Sequence, residues 1–115
     1  MVEDEILVRL MAAEDLRDQG FRVIEAADAD EALAVIETAG HIDLVVTDVK
    51  MPGTLDGLGL ARALRLSHPA LRIVVVSGEK LDPESAAVAD VVFAKPYDAP
   101  RLVRAIRDLI GGETA

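Results

Sequence analysis

Short aliphatic runs alternate along this chain with segments whose apolar residues recur at helical spacing, and this alternation limits the fold more than any other feature. The aliphatic runs are FRVIEA at 21–26, IDLVVT at 42–47, RIVVV at 72–76 and DVVFA at 90–94. The apolar residues with helical spacing are Val8, Met11, Ala12 and Leu16. Three further helices are predicted, one that begins at Asp28, one over 57–67 and one that begins at Asp98. Nearly all-apolar strands that alternate with helices indicate an α/β fold with a parallel sheet covered on both faces.

The size and charge of the chain narrow its possible partners. The 115 residues contain no linker or repeat, so we expect one domain over residues 1–115. A net charge of −9 argues against direct binding to nucleic acid or to an anionic membrane, because their phosphates would be repelled. The absence of cysteine excludes disulfides, and neither a signal peptide nor a membrane-spanning run is present. We therefore predict a soluble, cytoplasmic protein.

Polar residues follow the apolar runs at the points where the predicted strands end. They are Glu3-Asp4-Glu5, Asp48, Ser77-Gly78 and Lys95-Pro96. The carboxyl ends of parallel strands meet at one edge of a sheet, so these residues are expected to converge there. Crowded carboxylates repel one another, and a hard divalent cation with oxygen ligands relieves that repulsion. Mg²⁺ takes only one or two protein carboxylates and keeps several waters, which leaves room for a phosphoryl group.

Five motifs occur in order over essentially the whole chain: VEDE at 2–5, TDVKMPG at 47–53, DG at 56–57, VVVSG at 74–78 and AKPY at 94–97. With these motifs the sequence resembles the response-regulator receiver domain of two-component signalling. The resemblance implies a flavodoxin-like (βα)5 fold, with a parallel sheet in the order 2-1-3-4-5 and helices on both faces. It also implies a signalling protein rather than an enzyme, one that assists its own phosphorylation and dephosphorylation.

The resemblance further implies a role for each strand-end residue in phosphoryl transfer. Asp48 would accept a phosphoryl group from a phosphohistidine on a sensor histidine kinase or a histidine phosphotransfer protein. Ser77 would donate a hydrogen bond to a phosphoryl oxygen, and Lys95 would neutralise its charge. The Lys95-Pro96 peptide bond would be cis.

A Mg²⁺ ion is the cofactor that the resemblance implies. Asp4 and Asp48 would bind it directly, Glu3 would hold it through a water, and the backbone carbonyl of Lys50 would be a further ligand. We also expect Lys50 and Glu79, which lie two residues beyond Asp48 and Ser77, to flank the mouth of the site.

The sequence departs from the family pattern in several places. The turn MPGTLDG is one residue longer than is common, and the Ser77–Lys95 segment is about one helical turn shorter. With Pro83 inside that segment, we expect a short or irregular fourth helix. Val92 stands where many receivers have a switching aromatic residue. Only Met1 and Val2 precede EDE, so we expect the first strand to be a stub that ends near Glu3. This would mean that the chain is shortened or that its start is misassigned. The alternative is a homodimer in which a second molecule covers the place of the missing strand residues.

Other functions fit parts of the same pattern. Taken singly, each motif also has an ordinary structural explanation as a turn, a helix start or a strand exit. A pseudo-receiver that binds partners without phosphorylation and a receiver fragment of a hybrid histidine kinase or longer regulator are the main alternatives to a stand-alone receiver. A haloacid-dehalogenase-type phosphatase would need an aspartate where Lys50 stands. A flavodoxin-like cofactor site is disfavoured, because the acidic first turn would repel a flavin phosphate.

Overall fold

The computed structural model describes residues 1–50 and 56–111. The predicted Met51-Pro52-Gly53 turn, with its additional residue, lies outside these residues. The described part of the chain contains five helices and three strands. In chain order they are α1 (Ile6–Asp18), α2 (Ala29–Thr38), β1 (Leu44–Asp48), α3 (Gly57–Ser67), β2 (Arg72–Ser77), α4 (Pro83–Ala86), β3 (Val91–Ala94) and α5 (Ala99–Gly111).

The three strands form a parallel sheet in the order β1-β2-β3. In its register, Asp48 lies opposite Val76 on β2, and Ser77 lies opposite Ala94 on β3. The central strand β2 is buried from its second residue to its last, as expected for an apolar run covered on both faces. This register brings the polar residues at the carboxyl ends of all three strands to one edge of the sheet.

The first two predicted strands are reduced to single bridging residues. Val2 bridges Ala26 on one side and Thr47 on the other, both in parallel orientation. The lateral order is therefore Ala26, Val2, β1, β2, β3, which agrees with the predicted 2-1-3-4-5 order and with a first strand cut short near Glu3. The prediction of a strand over 21–26 is wrong for 21–25, because among the described residues the bridge to this segment is the one from Val2 to Ala26.

A cavity of about 700 Å³ lies at the amino-terminal end of the sheet. It separates residues 20–26 from residues 41–46, and the side chains of Val2, Leu16 and Ile106 contribute to its walls. The amino group of Met1 donates a hydrogen bond to the Ile24 carbonyl at 3.0 Å. Burial lowers the pKa of this amino group to about 6. We call this cavity the strand slot, because it continues the line of Val2 between two segments of backbone.

Aspartates begin three of the helices by capping their first turns. Asp28, Asp56 and Asp82 each accept a hydrogen bond from the backbone N–H three residues later, at 2.7–2.8 Å. The helix after Asp82 starts with Pro83 and lasts only four residues, which confirms the expected short fourth helix. None of the helices in residues 1–50 and 56–111 has the length and apolar character needed to cross a membrane.

Two aliphatic clusters cover the two faces of the sheet. One contains Leu60 and Leu64 of α3 against Ile73 and Val75, and the other contains Leu102 and Ile106 of α5 with further residues of β1, β2 and α1. Alternate residues of β2 point into opposite clusters, as the pleat of a strand requires. Because both faces are filled, the edge at the carboxyl ends of the strands is the place left for polar side chains.

Candidate functional site

An ammonium group and two carboxylates meet at the carboxyl edge of the sheet. Lys95, directly after β3, donates from Nζ to Oδ2 of Asp48 at 2.7 Å. The same Nζ lies 3.5 Å from Oε2 of Glu3. Asp48 is only 7% exposed and Glu3 only 2%. Buried carboxylates need compensation, and within the described residues Lys95 is the cation that supplies it.

Three carboxylates at this edge are close enough to share a metal ion. Glu3, Asp4 and Asp48 each offer an oxygen, and these oxygens lie within 4.8 Å of one another. Asp4 is exposed, so the cluster opens to solvent on one side. An all-oxygen set that is partly open to water fits a hard divalent cation. The residues therefore form an acidic cluster that fits a metal site.

The ionisation of the site reflects this crowding. Burial, together with the negative charge of Asp48, raises the pKa of Glu3 to about 7. Burial also acts to lower the pKa of Lys95. The hydrogen bond and charge of Asp48, with the charge of Glu3, outweigh it, so the pKa of Lys95 lies above its usual value. Lys95 is thus held as a cation between two acidic groups.

Backbone contacts place the acidic residues with little freedom. The Glu3 N–H donates to the Ala26 carbonyl at 3.0 Å, and the Asp48 N–H donates to the Val2 carbonyl at 3.1 Å. On the other side of Asp48, Gly57 N–H donates to the Val49 carbonyl at 2.9 Å. A Cβ atom on Gly57 would overlap the Asp48 carbonyl, so only glycine allows α3 to begin this close to β1.

Ser77 ends β2 at the same edge but its hydroxyl is turned to its own loop. Its Oγ donates to the Glu79 carbonyl at 2.6 Å and accepts from the Glu79 N–H at 3.1 Å. The Lys95 N–H donates to the Ser77 carbonyl at 2.8 Å, which ties the ends of β2 and β3 together. Ser77 is thus near the predicted site, without a side-chain hydrogen bond to Asp48 or Lys95 among the described contacts.

Lys50 and Glu79 form an ion pair across the loops that follow β1 and β2. Both side chains are exposed, at 76% and 67%. Their pairing agrees with the expectation that they flank the mouth of the site. The proposed ligand role of the Lys50 carbonyl stays a prediction, as do the roles of the other site residues. The Lys95-Pro96 bond is cis, as predicted.

Two residues that contact the site were not anticipated from the sequence. Arg9 of α1 donates from Nη1 to the Glu3 carbonyl at 2.9 Å. Gly57 was noted in the DG motif, but its close approach to Asp48 was not foreseen. Neither contact leaves a signal in the sequence, because each joins residues whose separation is set by the tertiary fold.

Comparison with known proteins identifies the family. Residues 1–107 match the family model described as the response regulator receiver domain. The response regulator TrrA from Thermotoga maritima, solved in complex with Mg²⁺-BeF, superimposes with a TM-score of 0.86 and is 27% identical, with 94% of each chain covered.

Curated relatives include proteins of very different lengths. The sensor kinase CckA of Brucella abortus is 36% identical over 115 residues, which cover 96% of this chain but 12% of that protein. Sporulation initiation phosphotransferase F of Bacillus subtilis is 24% identical over 111 residues, which cover 93% of this chain and 88% of that protein. The chain thus spans about an eighth of one relative and most of the other. On the evidence of the family match, the site geometry and the shared fold, this chain belongs to the response regulator receiver domain family of two-component phosphorelay signalling.

Proposed function

We propose that Asp48 accepts a phosphoryl group from a phosphohistidine of a sensor histidine kinase or a histidine phosphotransfer protein. The observation that carries this proposal is the placement of Asp48 at the end of β1, where Lys95 holds one carboxylate oxygen at 2.7 Å and two further carboxylates lie beside it. A buried, oriented carboxylate next to a fixed cation is suited to attack a charged phosphoryl group.

The step exchanges one bond to phosphorus for another. Lys95 engages Oδ2 of Asp48, which leaves Oδ1 with its lone pair as the nucleophile. A bond forms between this oxygen and phosphorus as the P–N bond to the donor histidine breaks, and the electron pair of the broken bond stays on the imidazole. Lys95 then lies beside the new acyl phosphate, where its ammonium offsets the added negative charge.

The acidic cluster would hold Mg²⁺ through Asp4 and Asp48, with Glu3 acting through a water and the Lys50 carbonyl as a further ligand. When bound, the ion would neutralise negative charge on the transferring phosphoryl oxygens. This assignment is supported by the all-oxygen donor set and by the closeness of the three carboxylates, whose oxygens lie within 4.8 Å of one another.

Ser77 would bind the phosphoryl group after a rotation of its hydroxyl. Its present contacts are both with the Glu79 backbone. Turning Oγ toward Asp48 would exchange the hydrogen bond to the Glu79 carbonyl for a charge-assisted one to a phosphoryl oxygen, which is the stronger type. Val92, which is 38% exposed, stands where many receivers have a switching aromatic residue. We therefore propose that a conformational change in the Ser77–Glu79 loop reaches the partner-binding surface without the rotation of an aromatic side chain.

The partner would be a protein that docks beside the acidic turn. The start of α1 exposes four large apolar side chains: Ile6, Leu7, Leu10 and Met11. An exposed apolar patch of this kind indicates a protein interface, and it lies next to Glu3-Asp4-Glu5, where the donor histidine must enter. A homodimer and a cytoplasmic location stay predictions. Because the chain covers only 12% of the sensor kinase CckA, a receiver that forms part of a longer protein is the alternative to a stand-alone one.

Binding of beryllofluoride in the presence of Mg²⁺, followed by ¹H-¹⁵N NMR, tests the proposed site directly. Beryllofluoride takes the place of the phosphoryl group on the acceptor carboxylate. We expect large shifts for the amides of Asp48, Ser77 and Lys95 that require Mg²⁺ and are absent in Asp48→Asn. Shifts that persist in Asp48→Asn would contradict the assignment, and their absence in the wild type would favour a pseudo-receiver.

A further inference from the structure

Arg9 links the acidic turn to helix α1 and to the segment before Ala26. It extends from the second turn of α1 and is only 15% exposed. Nη1 donates to the Glu3 carbonyl at 2.9 Å, and Nε donates to Oε1 of Glu25 at 3.3 Å. A single guanidinium therefore contacts both the turn that carries the acidic cluster and the segment that precedes Ala26.

The two peptide planes on either side of Glu3 are fixed by different partners. The plane before Glu3 is held by the hydrogen bond from Glu3 N–H to the Ala26 carbonyl at 3.0 Å. The plane after Glu3 is held by Arg9, through the Glu3 carbonyl. Peptide units are rigid, so holding both planes restricts φ and ψ of Glu3 and the direction of its Cα–Cβ bond. The carboxylate at the end of the side chain is held separately, by the Glu5 N–H, which donates to Oε1 at 3.2 Å. The second plane also contains the nitrogen of Asp4, so Arg9 sets where the Asp4 side chain leaves the backbone.

The guanidinium is itself held in place. Glu25 accepts from Arg9 through Oε1 and from Arg17 through Oε2, at 3.3 and 3.2 Å. Arg17 also donates to the Val23 carbonyl at 2.8 Å. Because Glu25 carries the opposite charge, it offsets the positive charge of Arg9 near a cation site. Arg9 contacts a carbonyl of the turn and no site carboxylate among the described contacts, so the carboxylate oxygens stay available to a metal ion.

This support acts on the side of the turn that the sheet hydrogen bonds do not reach. Val2 bridges Ala26 and Thr47, and the backbone hydrogen bonds around it involve Met1, Val2 and the Glu3 N–H, whereas the Glu3 carbonyl on the far side of the turn accepts from Arg9. We propose that Arg9 is a positioning residue for the divalent cation: through the Glu3 carbonyl it orients the Glu3-Asp4 peptide so that both carboxylates face Asp48. The inference rests on the proposed metal site and assigns to it a residue that touches neither the ion nor the phosphoryl group.

Mg²⁺ titration of the full chain, followed by ¹H-¹⁵N NMR, tests this role without any phosphorylation step. Arg17→Gln is the matched control, because Arg17 lies on the same helix and binds the same Glu25 but does not contact Glu3. Loss of groups that orient metal ligands typically costs about 10–100-fold in metal affinity, and we expect Arg9→Gln to weaken Mg²⁺ binding roughly tenfold. Arg17→Gln should keep an affinity close to that of the wild type.

Urea unfolding of both variants in EDTA separates positioning from general stabilisation. A purely structural role predicts that Mg²⁺ affinity falls in both variants in proportion to their loss of stability, and that result would overturn the proposal. Unchanged Mg²⁺ affinity in Arg9→Gln would also overturn it while leaving the proposed function intact. A wild-type chain that shows no Mg²⁺-dependent shifts at Glu3, Asp4 and Asp48 would overturn both.

A second variant keeps the test decisive if Arg9→Gln does not fold. Glu25→Gln keeps the volume of the side chain but removes the charge that holds the Arg9 guanidinium. We expect it to weaken Mg²⁺ binding in the same direction as Arg9→Gln, and clearly more than Arg17→Gln does. Equal Mg²⁺ affinities in Glu25→Gln and Arg17→Gln would overturn the proposal.

Discussion

Lys95 lies between Asp48 and Glu3, with its Nζ 2.7 Å from one carboxylate and 3.5 Å from the other. Asp48 and Lys95 are 47 positions apart in the chain, and the parallel register of β1, β2 and β3 is what brings them together. Among the described residues, the site therefore sets the ammonium of Lys95 against several acidic groups, and its stability depends on that balance.

Replacing Lys95 with Gln is expected to destabilise the metal-free protein by about 1–3 kcal/mol, because buried Asp48 and Glu3 lose the partner of their charges. The proposed Mg²⁺ site is assembled only in the folded chain, so the loss should be smaller when the ion is saturating. Urea unfolding with EDTA and with Mg²⁺ measures the difference. Lys80→Gln, at an exposed lysine, is the control. Equal losses for Lys95→Gln in the two conditions would show that the ammonium and the ion do not act on the same carboxylates.

Glu3 should make the stability of the metal-free fold depend on pH. Its pKa is raised from 4.5 to about 7, so between these values the folded state binds more protons than the unfolded state. The contribution of Glu3 is therefore lost progressively as the pH rises from about 4.5 to 7. Glu3→Gln mimics the protonated form, and in EDTA it should be stabilised over the wild type more at pH 7.5 than at pH 5. An identical gain at both values would mean that Glu3 titrates normally in the fold.

The ion pair between Lys50 and Glu79 is expected to control how water reaches the phosphorylated Asp48. Lys50→Ala and Glu79→Ala should each change the rate of dephosphorylation more than they change Mg²⁺ affinity. Because the two side chains form one ion pair, the double variant should differ from the sum of the single effects. Phosphoryl lifetimes measured after removal of the donor test this. Unchanged lifetimes in both single variants would rule out such control.

Filling the strand slot should stabilise the protein. About four apolar residues placed ahead of Val2 would continue the strand between 20–26 and 41–46, and each buried aliphatic side chain contributes roughly 1.5–3 kcal/mol. A gain of 1 kcal/mol raises the melting temperature of a domain this size by about 4–8 °C. An extension of Gly and Ser is the control. An unchanged melting temperature for a monomeric chain would mean that the strand slot does not accept a strand. If the unextended protein is a dimer, a second molecule would be the one that fills the slot.

The sequence predicted those parts of the fold whose structure depends only on the residues of one segment. The apolar run before Asp48 and the capping residue Asp28 are local signals, and both gave the observed strand and helix start. The strand predicted over 21–25 does not form, because a strand needs a neighbour to pair with, and within the described residues Val2 pairs with Ala26 alone in this segment. The helical spacing of α1 also placed Met11 among the apolar positions, whereas Met11 is 67% exposed and Ala13 is fully buried.

The chemical groups of the site were predictable because each follows a strand whose end can be read from the sequence. The contacts between these groups could not be predicted from the sequence. The pairing of Lys95 with both Asp48 and Glu3, the hydroxyl of Ser77 turned to Glu79, and the bond from Arg9 to the Glu3 carbonyl depend on side-chain directions that are set only when the elements pack.

The most direct test of the central claim is mass spectrometry of the wild type and Asp48→Asn after incubation with acetyl phosphate and Mg²⁺. The account predicts that the wild type gains a single phosphoryl group, that the gain needs Mg²⁺, and that Asp48→Asn gains none. Phosphoryl uptake by Asp48→Asn at the wild-type rate would contradict it, because the acceptor would then be another residue.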